Sequence, residues 1–210
     1  MAIVLLTGFE PFGGSLVNPS AEVARAFAAE GVPGATLHSL IVPVVGGDQS
    51  GSAFHAVAES VIRWAPDTIV AFGESHKATR VAFERVAINL RDDRIPDHAG
   101  VQLVDQPIVA RGAAAHFSSV PLRAMRDACE GEGVPAELSN SAGTFLCNEL
   151  MYRVLGAIAQ RKWPSVRRAG FVHLPQLPEQ AAVRGGPSMR LADLMVGLRA
   201  SLRVLTEPLG

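Results

Sequence analysis

Short apolar runs alternate along the chain with longer segments in which apolar residues recur at helical spacing. The runs are rich in Val, Ile and Phe and lie at residues 3–6, 37–42, 68–72 and 170–172. Strands that are buried on both faces of a sheet have this composition. The helical segments lie at residues 20–30, 53–64, 122–130, 149–161 and 191–204. Because such an order folds into a parallel or mostly parallel sheet with helices on both faces, the sequence predicts the α/β class.

Length and composition limit the number of domains and the class of partner. The chain has 210 residues without an internal repeat or a low-complexity linker, which predicts one domain over residues 1–210. Hydrophobic residues make up 48% and charged residues 19%, so a disordered chain is excluded. With 19 basic and 20 acidic side chains, the net charge of -1 lacks the basic footprint of a nucleic-acid binder.

Three features predict where the protein works. No apolar run approaches the ~18 residues of a membrane span. The first residues lack the basic leader and apolar stretch of a signal peptide, and they predict a buried strand instead. Two cysteines, Cys129 and Cys147, are too few for a disulfide framework, which favours a reducing compartment. We therefore expect a cytoplasmic protein without a membrane partner.

The glycine-rich loop at residues 7–18 follows the first predicted strand, where open α/β folds commonly bind ligands. It has neither G-x-G-x-x-G spacing nor a following Lys-Ser/Thr pair, which argues against a phosphate cradle. A second loop, at residues 91–106, is polar and rich in Asp. It is interpreted either as an extended active-site loop or as a solvated excursion.

Acidic residues in the second loop raise the question of a metal site. Asp92, Asp93, Asp97 and His98 are residue types that bind metals, but a solvated acidic loop is the favoured interpretation. The six histidines include no His-x-x-x-His pair. We therefore predict no metal site.

Cys147 is the strongest candidate for a reactive residue. Residues 138–140 read as a strand end and 141–144 as a tight turn, with Thr144 as the predicted N-cap of the following helix. Cys147 would then lie in the first turn, where unpaired N–H groups and the helix dipole stabilise a thiolate and can receive an oxyanion. The alternative is a small buried apolar residue. Cys129, inside an amphipathic helix, is given that structural interpretation.

Two further residues are unusual for their surroundings. His173 ends an apolar run, at the carboxyl end of a predicted strand where α/β active sites lie. Glu84 stands in an otherwise apolar predicted strand at residues 81–88, and a buried carboxylate needs a partner. The side chain of Arg85 points to the opposite face of that strand and is a poor partner. A Cys–His–Glu triad of Cys147, His173 and Glu84 would satisfy all three residues.

Five ordered blocks in residues 5–179 resemble the pyroglutamyl peptidase I family, also called pyrrolidone-carboxylate peptidases. They are Thr-Gly-Phe-Glu-Pro-Phe-Gly-Gly with a following Asn-Pro, Glu-Arg-Val-Ala-Ile-Asn, Arg-Ile-Pro-Asp, Ala-Gly-Thr-Phe-Leu-Cys-Asn and Gly-Phe-Val-His-Leu-Pro. The resemblance implies a single-domain α/β/α sandwich with a mixed, mostly parallel open sheet. It also implies no metal or organic cofactor, and a homo-oligomer, either a dimer or a tetramer.

The implied reaction removes an N-terminal pyroglutamyl (5-oxoproline) residue from peptides. By the resemblance, Cys147 is the nucleophile, His173 the general base and then acid, and Glu84 the residue that orients the imidazole. The flat, uncharged lactam calls for apolar faces and a few hydrogen bonds. Phe9 and Phe12 match the family's aromatic clamp, although each is also readable as plain core.

Further pocket residues follow from the same resemblance. Asn18 matches a residue that supports the first loop. Phe145 and Leu146 match positions that line the pocket beside the nucleophile. Arg94 matches a family arginine near the site, with an expected role in ordering the loop or the oxyanion.

One block departs from the family pattern. Where the family usually reads Gly-Gln-x-Gly-Gly-Arg, residues 73–78 read Gly-Glu-Ser-His-Lys-Ala. Glu74 therefore replaces a glutamine expected beside the lactam, His76 and Lys77 replace glycines, and the arginine is lost. Val44 also replaces a threonine near the pocket. An added negative charge at Glu74 would weaken binding or alter specificity if its side chain faces the substrate.

Three hypotheses follow. The leading one is a cysteine exopeptidase specific for N-terminal pyroglutamate. The second is a hydrolase with the same triad that acts on another small cyclic amide or acyl group, because of the altered 73–78 loop. The third is a binding relative that has lost turnover, and the intact Glu84, Cys147 and His173 argue against it.

Overall fold

The computed structural model describes residues 1–206, so residues 207–210 of the predicted domain lie outside the described part. The strands are β1 (Ala2–Phe9), β2 (Ala35–Val42), β3 (Thr68–Glu74), β4 (Val81–Glu84), β5 (Val86–Ile88), β6 (Ala115–Phe117), β7 (Ala136–Ser139) and β8 (Arg168–Leu174). The helices are α1 (Pro19–Glu30), α2 (Ala53–Trp64), α3 (Leu122–Gly131), α4 (Leu146–Ala159), α5 (Pro178–Arg184) and α6 (Leu191–Arg203), followed by a 3-10 turn at Val204–Thr206.

The main sheet has six strands in the order β2-β1-β3-β8-β4-β7. Every neighbouring pair is parallel except β4 and β8, which run antiparallel. Apolar residues of α2 and α4 pack on one face, and those of α1, α3 and α6 pack on the other. The predicted α/β/α sandwich with a mixed, mostly parallel sheet is therefore confirmed.

The first loop is tied to α1 by the residue that caps the helix. The Oδ1 atom of Asn18 accepts hydrogen bonds from the Ser20 amide at 3.0 Å and from the Ser20 hydroxyl at 2.7 Å, as expected of an N-cap. Its Nδ2 donates to the Glu10 carbonyl at 3.0 Å. α1 also packs so closely on β1 that a Cβ at Gly8 would lie 2.2 Å from the Ser20 carbonyl oxygen. The helix start therefore fixes the loop that leaves β1.

Three local predictions are wrong. The apolar run 81–88 is two strands, because the chain leaves the main sheet after Glu84 and β5 pairs with β6 in a separate two-stranded sheet. The helix predicted at 149–161 begins at Leu146 with Phe145 as N-cap. Thr144 does not cap it, because its hydroxyl donates to the Asp92 carbonyl at 2.9 Å.

The loop at residues 91–106 is not a solvated acidic excursion. Arg91 and Asp93 are buried, and the Arg91 Nε–H donates to Asp93 at 2.6 Å. Arg91 also forms an ion pair with Glu149 of α4. Asp97 is buried and accepts backbone N–H groups, including that of Gly46 at 3.0 Å. These carboxylates hold the loop against the body of the protein.

Two features of residues 1–206 bear on membranes and on metals. None of the helices there has the length and apolar character needed to cross a bilayer. The same residues contain no group of three or more His, Cys, Asp or Glu side chains arranged to hold a metal ion.

Candidate active site

Cys147 occupies the second position of α4, one residue after its first helical residue. Amides in the first turn of a helix have no intrahelical acceptor, so they carry partial positive charge beside the sulfur. The side chain is partly buried against the end of β3, and a Cβ at Gly73 would lie 2.7 Å from Cys147 Sγ. Glycine at position 73 therefore makes room for the thiol.

His173 and Glu84 lie on the same face of two neighbouring strands. In the antiparallel β4/β8 pair His173 is opposite Ala82 and Glu84 is opposite Phe171, which makes His173 and Glu84 diagonal neighbours. The Nδ1–H of His173 donates to Oε1 of Glu84 at 2.8 Å. Both residues are buried. The antiparallel pairing of β4 with β8 thus places the Glu84 carboxylate next to Nδ1 of His173.

With Nδ1 bound to Glu84, the other ring nitrogen of His173 is left for Cys147, which lies close enough for its charge to act on the imidazole. Burial lowers the pKa of His173, but the charge and hydrogen bond of Cys147, followed by those of Glu84, outweigh it and raise the pKa to about 10. A raised pKa favours the protonated form of the imidazole, which lies between Glu84 and Cys147.

The buried carboxylate of Glu84 needs the positive charge of His173 to offset the cost of its own desolvation. Its second oxygen, Oε2, is buried and has no hydrogen-bond partner among residues 1–206. A carboxylate buried with so little hydrogen bonding is costly unless a cation faces it. The protonated imidazole supplies that cation.

A cavity of about 640 Å³ opens above Cys147. All seven residues predicted to bind substrate line it together with Cys147: Phe9, Phe12, Asn18, Glu74, Arg94, Phe145 and Leu146. His173 and Glu84 are buried and are not among the lining residues. Of the predicted catalytic residues, Cys147 alone therefore lines the cavity together with the predicted binding residues.

The cavity has an apolar closed end. Phe9, Val44 and Leu146 are buried there, and the rings of Phe12 and Phe145 lie 5.5 Å apart with a 31° tilt. Such surfaces suit a flat, uncharged ring.

Sequence reasoning missed Arg184, which lines the cavity from the end of α5. α5 is short, and the signal that marked it was the proline at its first position, Pro178. Arg184 forms an ion pair with Glu74, and Gln180 donates to the other oxygen of Glu74 at 2.8 Å. The negative charge of Glu74 is therefore compensated by Arg184 within the protein. This pairing reduces the repulsion that the replacement of the family glutamine by Glu74 would otherwise add to the cavity.

The fold and the contact of thiol, imidazole and carboxylate are those of an α/β cysteine hydrolase. The family model described as pyroglutamyl peptidase matches residues 2–207, and the chain belongs to that family. The pyrrolidone-carboxylate peptidase of Vibrio vulnificus (strain CMCP6) is 42% identical over 207 residues, covering 99% of this chain and 94% of the relative. That of Chromobacterium violaceum is 43% identical over 205 residues, covering 97% and 92%.

Solved structures agree with these sequence relatives. The crystal structure of pyroglutamyl peptidase I from Bacillus amyloliquefaciens superposes with a TM-score of 0.91 at 36% identity, covering 98% of this chain and 97% of that one. Pyrrolidone carboxyl peptidase from Pyrococcus furiosus gives a TM-score of 0.88 at 32% identity, covering 96% and 97%. The family resemblance seen in the sequence is confirmed.

Proposed function

We propose that the protein is a cysteine exopeptidase that removes an N-terminal pyroglutamyl residue from peptides through Cys147, His173 and Glu84. The observation that carries the proposal is the buried hydrogen bond of 2.8 Å between Glu84 and His173. The imidazole of His173 also lies next to Cys147 at the start of α4. The names of the relatives, pyrrolidone-carboxylate peptidase and pyroglutamyl peptidase I, support the same substrate.

The cavity supports a pyroglutamyl ring as the bound group. The lactam carries no charge, so it fits between apolar surfaces such as those of Phe12 and Phe145 without an ion pair. Glu74, which would repel a negatively charged ligand, is already paired with Arg184. A free N-terminal glutamate would bring an ammonium and a carboxylate into this apolar end, and desolvation of both charges disfavours it.

The first chemical step is attack by the thiolate of Cys147 on the carbonyl carbon of the pyroglutamyl group. A carbon–sulfur bond forms and the carbonyl electrons move to oxygen. The amides of the first turn of α4 are suited to stabilise this oxyanion, because they point toward the sulfur end of the helix and lack intrahelical acceptors. The imidazolium of His173, fixed by Glu84, already holds the proton that the thiol released.

The second step breaks the scissile carbon–nitrogen bond. His173 transfers its proton to the leaving amine, and a thioester to Cys147 remains. Water then attacks the thioester carbonyl while His173 accepts a proton from it. Collapse of that intermediate releases free 5-oxoproline and restores the thiolate–imidazolium pair. Each step uses groups of this chain and one water molecule.

The decisive assay is hydrolysis of a pyroglutamyl-linked chromogenic amide by the purified protein under reducing conditions. We expect turnover of this amide and none of the matched prolyl amide, which lacks the lactam carbonyl and carries a charged amine. Cys147→Ser serves as the inactive control. Equal turnover of both amides would support the alternative of a broader hydrolase with the same triad, and binding without turnover would support a non-catalytic relative.

Assembly into a dimer or tetramer belongs to the same proposal, as does a cytoplasmic location. Both rest on the family resemblance and on the sequence. Light scattering coupled to size-exclusion chromatography of the full chain tests the assembly, for which we expect a mass of two or four chains.

A further inference from the structure

The open end of the cavity differs in charge from its closed end. Three exposed residues at the opening, His76, Arg94 and Arg184, line the cavity, and Lys77 is adjacent in sequence. We call these four residues the basic rim. The closed end is formed by buried residues such as Phe9 and Leu146. A substrate that enters ring first therefore leaves the rest of its chain at the basic rim.

The members of the basic rim lie close enough to influence one another. The pKa of His76 is lowered, first by burial and then by the positive charges of Arg184, Lys77 and Arg94, with Glu74 acting in the opposite direction. Arg184, Lys77 and Arg94 therefore lie within electrostatic reach of His76.

The charges at the opening do not balance. Within residues 1–206, Glu74 is the only acidic residue that lines the cavity, and Arg184 already pairs with it. Arg94 and Lys77 form no ion pair within residues 1–206. Two cationic side chains are thus left without a carboxylate, Arg94 in the cavity lining and Lys77 next to His76.

We propose that the basic rim selects pyroglutamyl peptides that carry a carboxylate on the residue directly after the pyroglutamyl group. This inference rests on the proposed function. Arginine binds carboxylates through two parallel hydrogen bonds, and cationic clusters at a cavity opening attract anionic ligands over several ångströms. The carboxylate has two possible sources, the side chain of an Asp or Glu residue or the free C-terminus of a dipeptide.

The test compares matched peptides in pairs that differ only in charge. Pyroglutamyl-Glu amide against pyroglutamyl-Gln amide reports on the side chain, and pyroglutamyl-Ala as free acid against its amide reports on the C-terminus. We expect kcat/KM to be higher for the acidic member of at least one pair by on the order of fivefold, mainly through KM. The preference should shrink as ionic strength rises.

Variants locate the effect. Arg94→Gln should reduce the acidic-to-neutral ratio toward one, whatever it does to absolute rates, because the ratio cancels any common loss. Arg184→Gln should reduce the ratio further, because it also frees the charge of Glu74. Arg25→Gln, on the exposed surface of α1 and outside the cavity, is the matched control and should keep the parent ratio.

The outcomes separate this inference from the proposed function. Cleavage of all four peptides with ratios near one, or an unchanged ratio in Arg94→Gln, overturns selection by the basic rim and leaves the peptidase intact. If no peptide is cleaved, binding of the same four peptides to the parent protein is measured by calorimetry. Absence of binding, or binding without preference for the acidic members, overturns the inference together with the proposed activity.

Discussion

Gly73 and Cys147 are in direct contact across the end of β3, where a Cβ on residue 73 would lie 2.7 Å from the sulfur. It would also lie 2.8 Å from the ring of Phe171, so a side chain at position 73 would collide with both the thiol and this ring. The position of the nucleophile is therefore set by the absence of a side chain on the neighbouring strand.

Gly73→Ala should displace the thiol and impair activity more than stability. A misplacement of about 1 Å at a reacting atom costs on the order of 10²-fold in rate. Gly131→Ala is the matched control, because a Cβ at Gly131 meets nothing within 4 Å. The measurement is kcat/KM together with Tm for both variants. Parent-like activity in Gly73→Ala would contradict a thiol position fixed by this contact.

Glu84→Gln tests whether the carboxylate orients the imidazole. The substitution keeps the shape but removes the charge that faces His173, so kcat/KM should fall by about 10²- to 10⁴-fold while the protein still folds. Cys147→Ser should lose more, because a hydroxyl is a far weaker nucleophile in a site built for sulfur. Glu137→Gln, on the exposed side of β7, is the control and should leave kcat/KM unchanged.

Near-parent activity in Glu84→Gln would remove Glu84 from the triad. The other candidates named from the sequence are Asp92, Asp93 and Asp97. Asp93 and Asp97 are already engaged by Arg91 and by backbone N–H groups, whereas Asp92 is exposed. If the variant still folds but has a lower Tm, and the pKa of His173 stays elevated, Glu84 has a structural role alone.

Alkylation should distinguish the two cysteines. Cys129 is fully buried, and burial raises the pKa of its thiol to about 11, so it stays protonated and inaccessible at neutral pH. Cys147 is partly exposed at the cavity and contacts a protonated imidazole. Iodoacetamide at neutral pH should label Cys147 alone and abolish activity. Peptide mapping by mass spectrometry checks this, and equal labelling of both residues would refute it.

The pH dependence should reflect the elevated pKa of His173. The folded-state value of about 10 lies above the ordinary 6.5, so the protonated form stabilises the fold. That contribution is fully present below about pH 6.5 and is lost as the pH rises through about 10. We expect Tm and kcat/KM to fall together on the alkaline side.

Cys147→Ser is the control for this titration, because the charge of Cys147 is the largest upward influence on the pKa of His173. In that variant the imidazole should lose its proton at lower pH. The imidazole C–H resonance of His173, assigned by comparison with His173→Gln, follows this directly. Titration of His173 near its ordinary value in the parent would refute the charged pair.

The position of the candidate nucleophile was predicted from the sequence more accurately than the residue that caps its helix. Cys147 lies in the first turn of α4 as expected, because the turn before it is short and glycine-containing. Thr144 was a wrong choice of N-cap, since its hydroxyl bonds to Asp92, a residue far away in sequence. A local sequence pattern indicates only the propensity of a residue to cap a helix. A residue that is distant in sequence can form a hydrogen bond with the same hydroxyl and so prevent it from capping.

The errors in the 91–106 loop have the same physical origin. Asp93 and Asp97 were predicted to be solvated, because no local sequence pattern indicates their hydrogen bonds. Arg91 donates to Asp93, and the Gly46 amide donates to Asp97. Arg184 escaped notice because α5 is too short to show a helical period. Its pairing with Glu74 joins residues that no local pattern connects.

The buried pairing of Arg91 with Asp93 and Glu149 has a consequence for the energetics of recognition. It fastens the loop that carries Arg94 to the helix that carries Cys147. Ordering of that loop is therefore completed when the chain folds, and substrate does not have to supply the lost conformational entropy at the moment of binding. Disrupting Arg91 should accordingly slow capture of peptides by making the cavity wall disordered before they arrive.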